Sequence, residues 1–214
     1  MIISPGRNYI FVHIPKTGGT SLTSALEGRA MKDDILIADT PKARRRRGRL
    51  KGAQAAGRLW KHSTLADIDG LVGHDWIAQA FTVTLVRNPW DRMVSLYRWL
   101  RKQDFDNFAV ALARQSDFEA FLRDPQMQAA IRAHPYSHYM RDRTGCERAR
   151  LFMRLEAFEV DAQPFWDHLG FRLELPVLNP SDRAPGYSEY YTAQTAELVE
   201  GLCGEDIARF GYNF

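Results

Sequence analysis

Cysteine is scarce in this chain: Cys146 and Cys203 are the only two in 214 residues. They are too few and too far apart to make a disulfide scaffold or a metal cluster, so they are read as reduced thiols. Long apolar runs are also missing, which excludes a membrane-spanning helix. The first strand-like run starts almost at once after Arg7, without the long apolar region or cleavage site of a secretory leader. Acidic residues are absent between Pro41 and Ser63, where nine Lys or Arg residues stand: Lys42, Arg44 to Arg47, Arg49, Lys51, Arg58 and Lys61. Setting those nine aside from the 29 basic residues leaves 20 against 26 acids, so the net charge of +3 comes from this one segment. With Gly48, Gly52 and Gly57 and little apolar periodicity, residues 41–61 are expected to form a basic, mobile loop. Such a loop serves solubility or touches a polyanion; no aromatic series suited to nucleic acid accompanies it, and no nucleic-acid partner is expected.

The richest segment is Tyr9-Ile10-Phe11-Val12-His13-Ile14-Pro15-Lys16-Thr17-Gly18-Gly19-Thr20-Ser21. An apolar strand enters a tight turn, and the turn opens into a helix near Thr20. Backbone N–H groups, hydroxyls and the Lys16 ammonium are thereby aimed at one spot, with the positive end of the helix dipole behind them. That spot suits a phosphate or a similar anion. The lysine precedes the glycines, unlike the G-x-x-x-x-G-K-[ST] order of common nucleotide-triphosphate loops.

A second junction follows. Phe81-Thr82-Val83-Thr84-Leu85-Val86 alternates as a buried strand and runs into Arg87-Asn88-Pro89-Trp90-Asp91-Arg92. Asn88 is placed to cap a helix and Pro89 to begin it. Met93, Leu96, Tyr97 and Leu100 then face a core at helical spacing, and Ser95 lies two turns in. Where a phosphate-transferring enzyme places a Mg²⁺-holding aspartate after this strand, this chain has Arg87, a guanidinium that binds anions and repels metal. Two anionic groups and no divalent cation are therefore expected at the site.

These two segments resemble the nucleotide motifs of sulfotransferases that use 3′-phosphoadenosine-5′-phosphosulfate (PAPS), most closely the carbohydrate group known as sulfotransferase family 2. Looser similarity extends to Leu155-Glu156, Leu178-Asn179-Pro180-Ser181 and Asp206 to Tyr212. The resemblance implies that Pro15, Lys16, Thr17, Gly18, Gly19, Thr20 and Ser21 grip the 5′-phosphosulfate. It further implies that Arg87 and Ser95 grip the 3′-phosphate. Arg92, one turn before Ser95, either joins them or pairs with Asp91 or another acid. The co-substrate would be PAPS, giving adenosine 3′,5′-bisphosphate, and the acceptor a hydroxyl on a saccharide or glycoconjugate. Animal relatives are anchored in the secretory pathway; lacking an anchor, this chain is expected to be bacterial and cytoplasmic. Lys16 is assigned to the charge that develops on the leaving oxygen. The general base is left between His62, His74, the carboxylate of Glu156 and no side chain at all. His13 is read as a packed strand residue pointing opposite to Phe11.

Helices are expected at 19–29, 63–69, 89–103, 125–133, 157–169 with Pro164 inside, and from Thr192 to Cys203. Another begins at the capping-box spacing of Ser116 to Glu119. A third core strand is expected at 151–155. Strands alternating with helices imply an α/β fold, P-loop-like and three-layered, with a mainly parallel sheet flanked by helices in one domain spanning 1–214. Two rivals remain: a kinase or hydrolase with an unusual loop, and a non-catalytic polyanion-binding protein using Arg44 to Arg47.

Overall fold

The computed structural model describes residues 1–176 and 186–214. In chain order its elements begin with β1 (Ile2–Ser4), β2 (Tyr9–Val12), α1 (Gly19–Gly28), β3 (Ile35–Leu36), α2 (Pro41–Arg46), α3 (His74–Gln79) and β4 (Phe81–Val86). Four helices follow: α4 (Pro89–Leu100), α5 (Phe108–Gln115), α6 (Phe118–Arg123) and α7 (Pro125–Ala133). The remainder is α8 (Tyr136–Tyr139), β5 (Leu151–Arg154), α9 (Phe158–Asp161), α10 (Gln163–Leu169), α11 (Ala193–Leu202) and α12 (Gly204–Phe210). The chain divides into two compact units, one of Met1–Val86 with Tyr136–Leu178, the other of Arg87–Pro135 with Asn179–Phe214.

The first unit is built on a five-stranded sheet in the order β3-β1-β2-β4-β5. β2, β4 and β5 run parallel, whereas β1 is antiparallel to both β2 and β3. The sheet is therefore mixed, and the expectation of a mainly parallel one is corrected. The reason lies in the connection: a 3-10 turn at Pro5–Arg7, closed by Asn8 at φ 51°, joins β1 to β2, whereas a parallel pairing needs a crossover of a dozen residues or more. Leu22 and Leu26 of α1 and Phe165 of α10 pack with Phe11, Val83, Leu85 and Met153 of the sheet. Pro164 does interrupt the 157–169 segment, which forms α9 and α10 on either side of Ala162.

Two local expectations fail in this unit. Residues 63–69 make a turn in place of a helix. Thr64 N donates to Asp67 Oδ2 (2.7 Å) and Asp67 N to Thr64 Oγ1 (3.2 Å), the reciprocal pairing of a helix start, but Gly70 at φ 88° takes the left-handed conformation that ends helices. The basic run, expected as a loop over 41–61, begins with α2 and a further 3-10 turn at Arg47–Leu50. Thr40 caps it by accepting from Ala43 N, and Pro41 starts it. Tertiary hydrogen bonds hold it: Lys42 Nζ donates to Glu27 O, Arg46 to Met31 O (2.7 Å) and Arg49 to Lys32 O.

The second unit is helical and has its own core, in which Trp90, Met93, Tyr97 and Leu100 of α4 meet Phe118, Phe121 and Val199. Leu96 is partly buried beside that cluster. Asp117, not Ser116, caps α6 through Ala120 N, and Thr192 caps α11 in a reciprocal box with Thr195. The Leu178–Ser181 similarity lies outside the described residues.

Candidate active site

In the first unit, β2 delivers the chain into the turn that carries Lys16. Lys16 and Gly18 have φ of 68° and 84°, a left-handed bend that costs a side-chain-bearing residue on the order of 1–3 kcal/mol. The turn is closed by Ser21 N donating to Gly18 O (3.0 Å) and by the buried Thr17 hydroxyl donating to Ile14 O (2.9 Å). The Thr17 hydroxyl proton is thus engaged inside the loop. α1 starts without a side-chain cap and without an acid in its first turn, so its first N–H groups are not answered by a capping side chain. A methyl group on Gly19 would lie 2.1 Å from His13 Cδ2, and one on Gly18 would lie 2.7 Å from Leu155 Cδ1. Both glycines are required by close approach, and the chain leaving β5 abuts the loop through Leu155.

His13 and His62 meet beside this loop. His13 is 5% exposed, and its ring stacks on Phe11 at 6.0 Å. Residues two apart share a strand face, so the expected opposite orientation is corrected. His62 Nδ1 lies 2.7 Å from His13 O; a carbonyl only accepts, so Nδ1 carries the proton and Nε2 keeps its lone pair in the neutral ring. The rings of His13 and His62 are 4.7 Å apart, and Trp60 packs on His62 at 4.9 Å. The Lys61 carbonyl accepts from the Met1 amino group (3.0 Å), which fixes the preceding backbone. Burial, opposed by the hydrogen bond to His13 O and aided by Lys61, lowers the His62 pKa to about 4. Burial likewise carries His13 well below the ordinary histidine value, with the ammonium groups of Lys61 and Lys16 adding to it. Both rings are therefore neutral near pH 7.

His74, the other histidine candidate, begins α3 among carboxylates. Its Nδ1 lies 3.3 Å from Asp69 Oδ2 and its Nε2 3.9 Å from Asp142 Oδ2. Asp142 pairs with Arg148 at 2.6 Å and Asp69 with Arg143 at 3.3 Å. Burial pushes the Asp142 pKa up, but the Thr144 hydroxyl and Arg148 outweigh it and hold the carboxyl well below its usual range. Glu156 is exposed in the 3-10 turn that follows β5.

In the second unit, Asn88 caps α4 as expected, its side chain accepting from Trp90 N and Asp91 N. Its Nδ2 also donates to Asn213 O at 2.9 Å. Arg87 is 9% exposed, and its Nε and Nη2 donate to Asp91 Oδ2 at 2.7 and 2.6 Å. The sequence reading missed this partnership, although the i,i+4 spacing announces it. Ser95 is half-buried two turns along the same helix. Arg92 is buried and its charge is felt by the Cys203 thiol, which burial raises to about 11 against the opposing pull of Arg92. Among the described residues, no group of three or more His, Cys, Asp or Glu side chains is arranged to hold a metal ion, and no helix is long and apolar enough to cross a membrane.

Comparison with curated proteins and with solved structures gives no significant match. The family model described as "Sulfotransferase family" matches residues 1–211, which take in the lysine-glycine loop, the His13–His62 pair and the Arg87 helix. On that coverage the chain belongs to the sulfotransferase family.

Proposed function

We propose that this sulfotransferase moves a sulfuryl group from PAPS to a hydroxyl of a saccharide or glycoconjugate, residues 1–214 working as one catalytic domain with a P-loop-like nucleotide site. The loop Pro15 to Ser21 takes the 5′-phosphosulfate through backbone N–H groups, the Thr20 and Ser21 hydroxyls and Lys16. Arg87, oriented by Asp91, takes the 3′-phosphate with Ser95, and Arg92 adds positive charge on the same helix.

In the transfer step the acceptor oxygen forms a bond to sulfur while the bond from sulfur to the 5′-phosphate oxygen breaks. His62 Nε2 takes the acceptor's proton, and Lys16 neutralises the charge gathering on the leaving oxygen. Adenosine 3′,5′-bisphosphate departs. His62 is preferred as base because its hydrogen bond to His13 O leaves Nε2 bare beside the loop; His74, held by Asp69, is the competing base. The observation that carries this reading is the left-handed Lys16 turn opening onto a helix without a side-chain cap.

The test is direct. The protein is incubated with PAPS labelled in its sulfuryl group and a panel of saccharides, with a chelator present. Label should pass to a saccharide in step with the appearance of adenosine 3′,5′-bisphosphate. Turnover of Mg²⁺-ATP with no transfer from PAPS would overturn the assignment.

A further inference from the structure

The arginine run is not consumed by the chemistry just described, and its members divide into two sets. Lys42, Arg46 and Arg49 are spent on backbone carbonyls of residues 27–34. Arg44, Arg45 and Arg47 are exposed, and among the described residues their guanidinium groups form no hydrogen bond or ion pair. The tethers therefore anchor α2 and the 3-10 turn that follows it, while the remaining guanidinium groups face solvent. Long cationic side chains lose less freedom on binding when their backbone is already fixed.

This basic face continues toward His62. Lys61 Nζ pairs with Asp39 at 3.0 Å, and Asp39, whose pKa is lowered first by its Lys61 hydrogen bond, also feels Arg44 and Arg47. Next along the chain Trp60 is 41% exposed. The Arg58 guanidinium lies over its ring at 5.3 Å, and its indole touches the His62 ring. An exposed indole offers a flat apolar face to the C–H surface of a sugar, and outward guanidinium groups pair with carboxylate or sulfate in forked geometry.

We infer that Arg44, Arg45, Arg47, Arg58 and Trp60 form an acceptor subsite for an acidic saccharide chain, one that already carries carboxylate or sulfate groups. This rests on the proposed transfer at His62 and names the acceptor's chemistry. Charge complementarity selects the occupant, since residues 41–63 hold nine basic side chains and no acid. A membrane surface is disfavoured because Trp60 is the only large hydrophobic side chain within that segment counted among the exposed ones. The subsite would place negative charge near Trp60 and leave a hydroxyl of the bound chain for His62.

The full-length protein is titrated calorimetrically with a sulfated, uronate-containing oligosaccharide, with a neutral oligosaccharide of equal length, and with adenosine 3′,5′-bisphosphate. The acidic chain should bind at least tenfold more tightly than the neutral one. The combined variant R44A/R45A/R47A should lose about tenfold or more of that affinity, and its salt dependence should become shallower by roughly the number of charges removed. Trp60→Ala should weaken the saccharide alone. Nucleotide affinity should be unchanged in both variants. Equal affinity for the two oligosaccharides, or undiminished binding by the triple variant, would overturn the subsite. Equally tight binding of single-stranded DNA or of vesicles containing phosphatidylserine, lost in the same variant, would make this a general polyanion surface and would also overturn it. Failure of the nucleotide to bind the parent protein would strike the transfer reading instead, while the saccharide titrations would still report on the basic face.

Discussion

Lys16 holds a backbone conformation that glycine would adopt at no steric cost, so the loop keeps a side chain there against conformational preference. If that ammonium meets charge only as the leaving oxygen develops it, Lys16→Ala should lower kcat about 10²–10³-fold with little change in nucleotide affinity. Single-turnover kinetics with PAPS would show this; a tenfold loss of affinity with normal turnover would assign Lys16 to binding alone. Gly19 is constrained differently, by the His13 ring beneath it. Gly19→Ala should destabilise the fold by about 1–3 kcal/mol through overpacking, read from urea midpoints. His13→Ala in the same chain should recover part of that loss, since it removes the clashing ring. Additive losses would place the strain elsewhere. The glycines were legible from sequence as permissive turn residues, but the ring under Gly19 was not, because nothing local joins positions 13 and 19 through space.

At the scale of elements, the segment Trp60–Ser63 and His13, just past the end of β2, share a titration. Unfolded, His62 would titrate near 6.5; folded, it does so at about 4 because burial disfavours its charge. Between those values the unfolded chain binds the extra proton, so stability is full above about pH 6.5 and falls as the pH drops through the window to 4. His13, also lowered by burial, steepens the fall. His62→Gln should flatten the decline of the urea midpoint between pH 6.5 and 4, and an unchanged slope would contradict the packing described for this ring. The helix α4 offers a parallel test. Asp91→Asn removes the charge that orients Arg87 and should weaken binding of a 3′-phosphorylated nucleotide several-fold while leaving the affinity for its 5′-only counterpart alone.

The same scale shows what sequence could reveal about the fold. The strand-turn-helix at 9–28, the Asn88 cap, α7 and the Thr192 cap follow from local chemistry, and they appear where that chemistry puts them. β1 and β3 have three and two residues, too short for any periodicity to register, and the mixed sheet went unread for that reason. α2 forms in an arginine run because carbonyls of residues 27–34 receive its side chains, a tertiary cause that local propensity does not contain. Among the candidate residues, motif order pointed to Lys16 and Arg87, whereas the edge-to-face contacts of Trp60, His62 and His13 depend on an approach spanning 49 positions.

For the whole molecule, the proposed transfer makes one demand of this sulfotransferase: its ligand should carry phosphate at both the 3′ and 5′ positions of an adenosine. Calorimetry without metal, comparing adenosine 3′,5′-bisphosphate with ADP in the parent protein and in Arg87→Ala, tests that demand most directly. The 3′,5′-bisphosphate should bind at least 100-fold more tightly than ADP, and Arg87→Ala should erase most of the difference, a loss of about 1.5–3 kcal/mol for a hydrogen bond to a charged group. Equal affinity for the two nucleotides, or a preference that survives Arg87→Ala intact, would contradict the assignment.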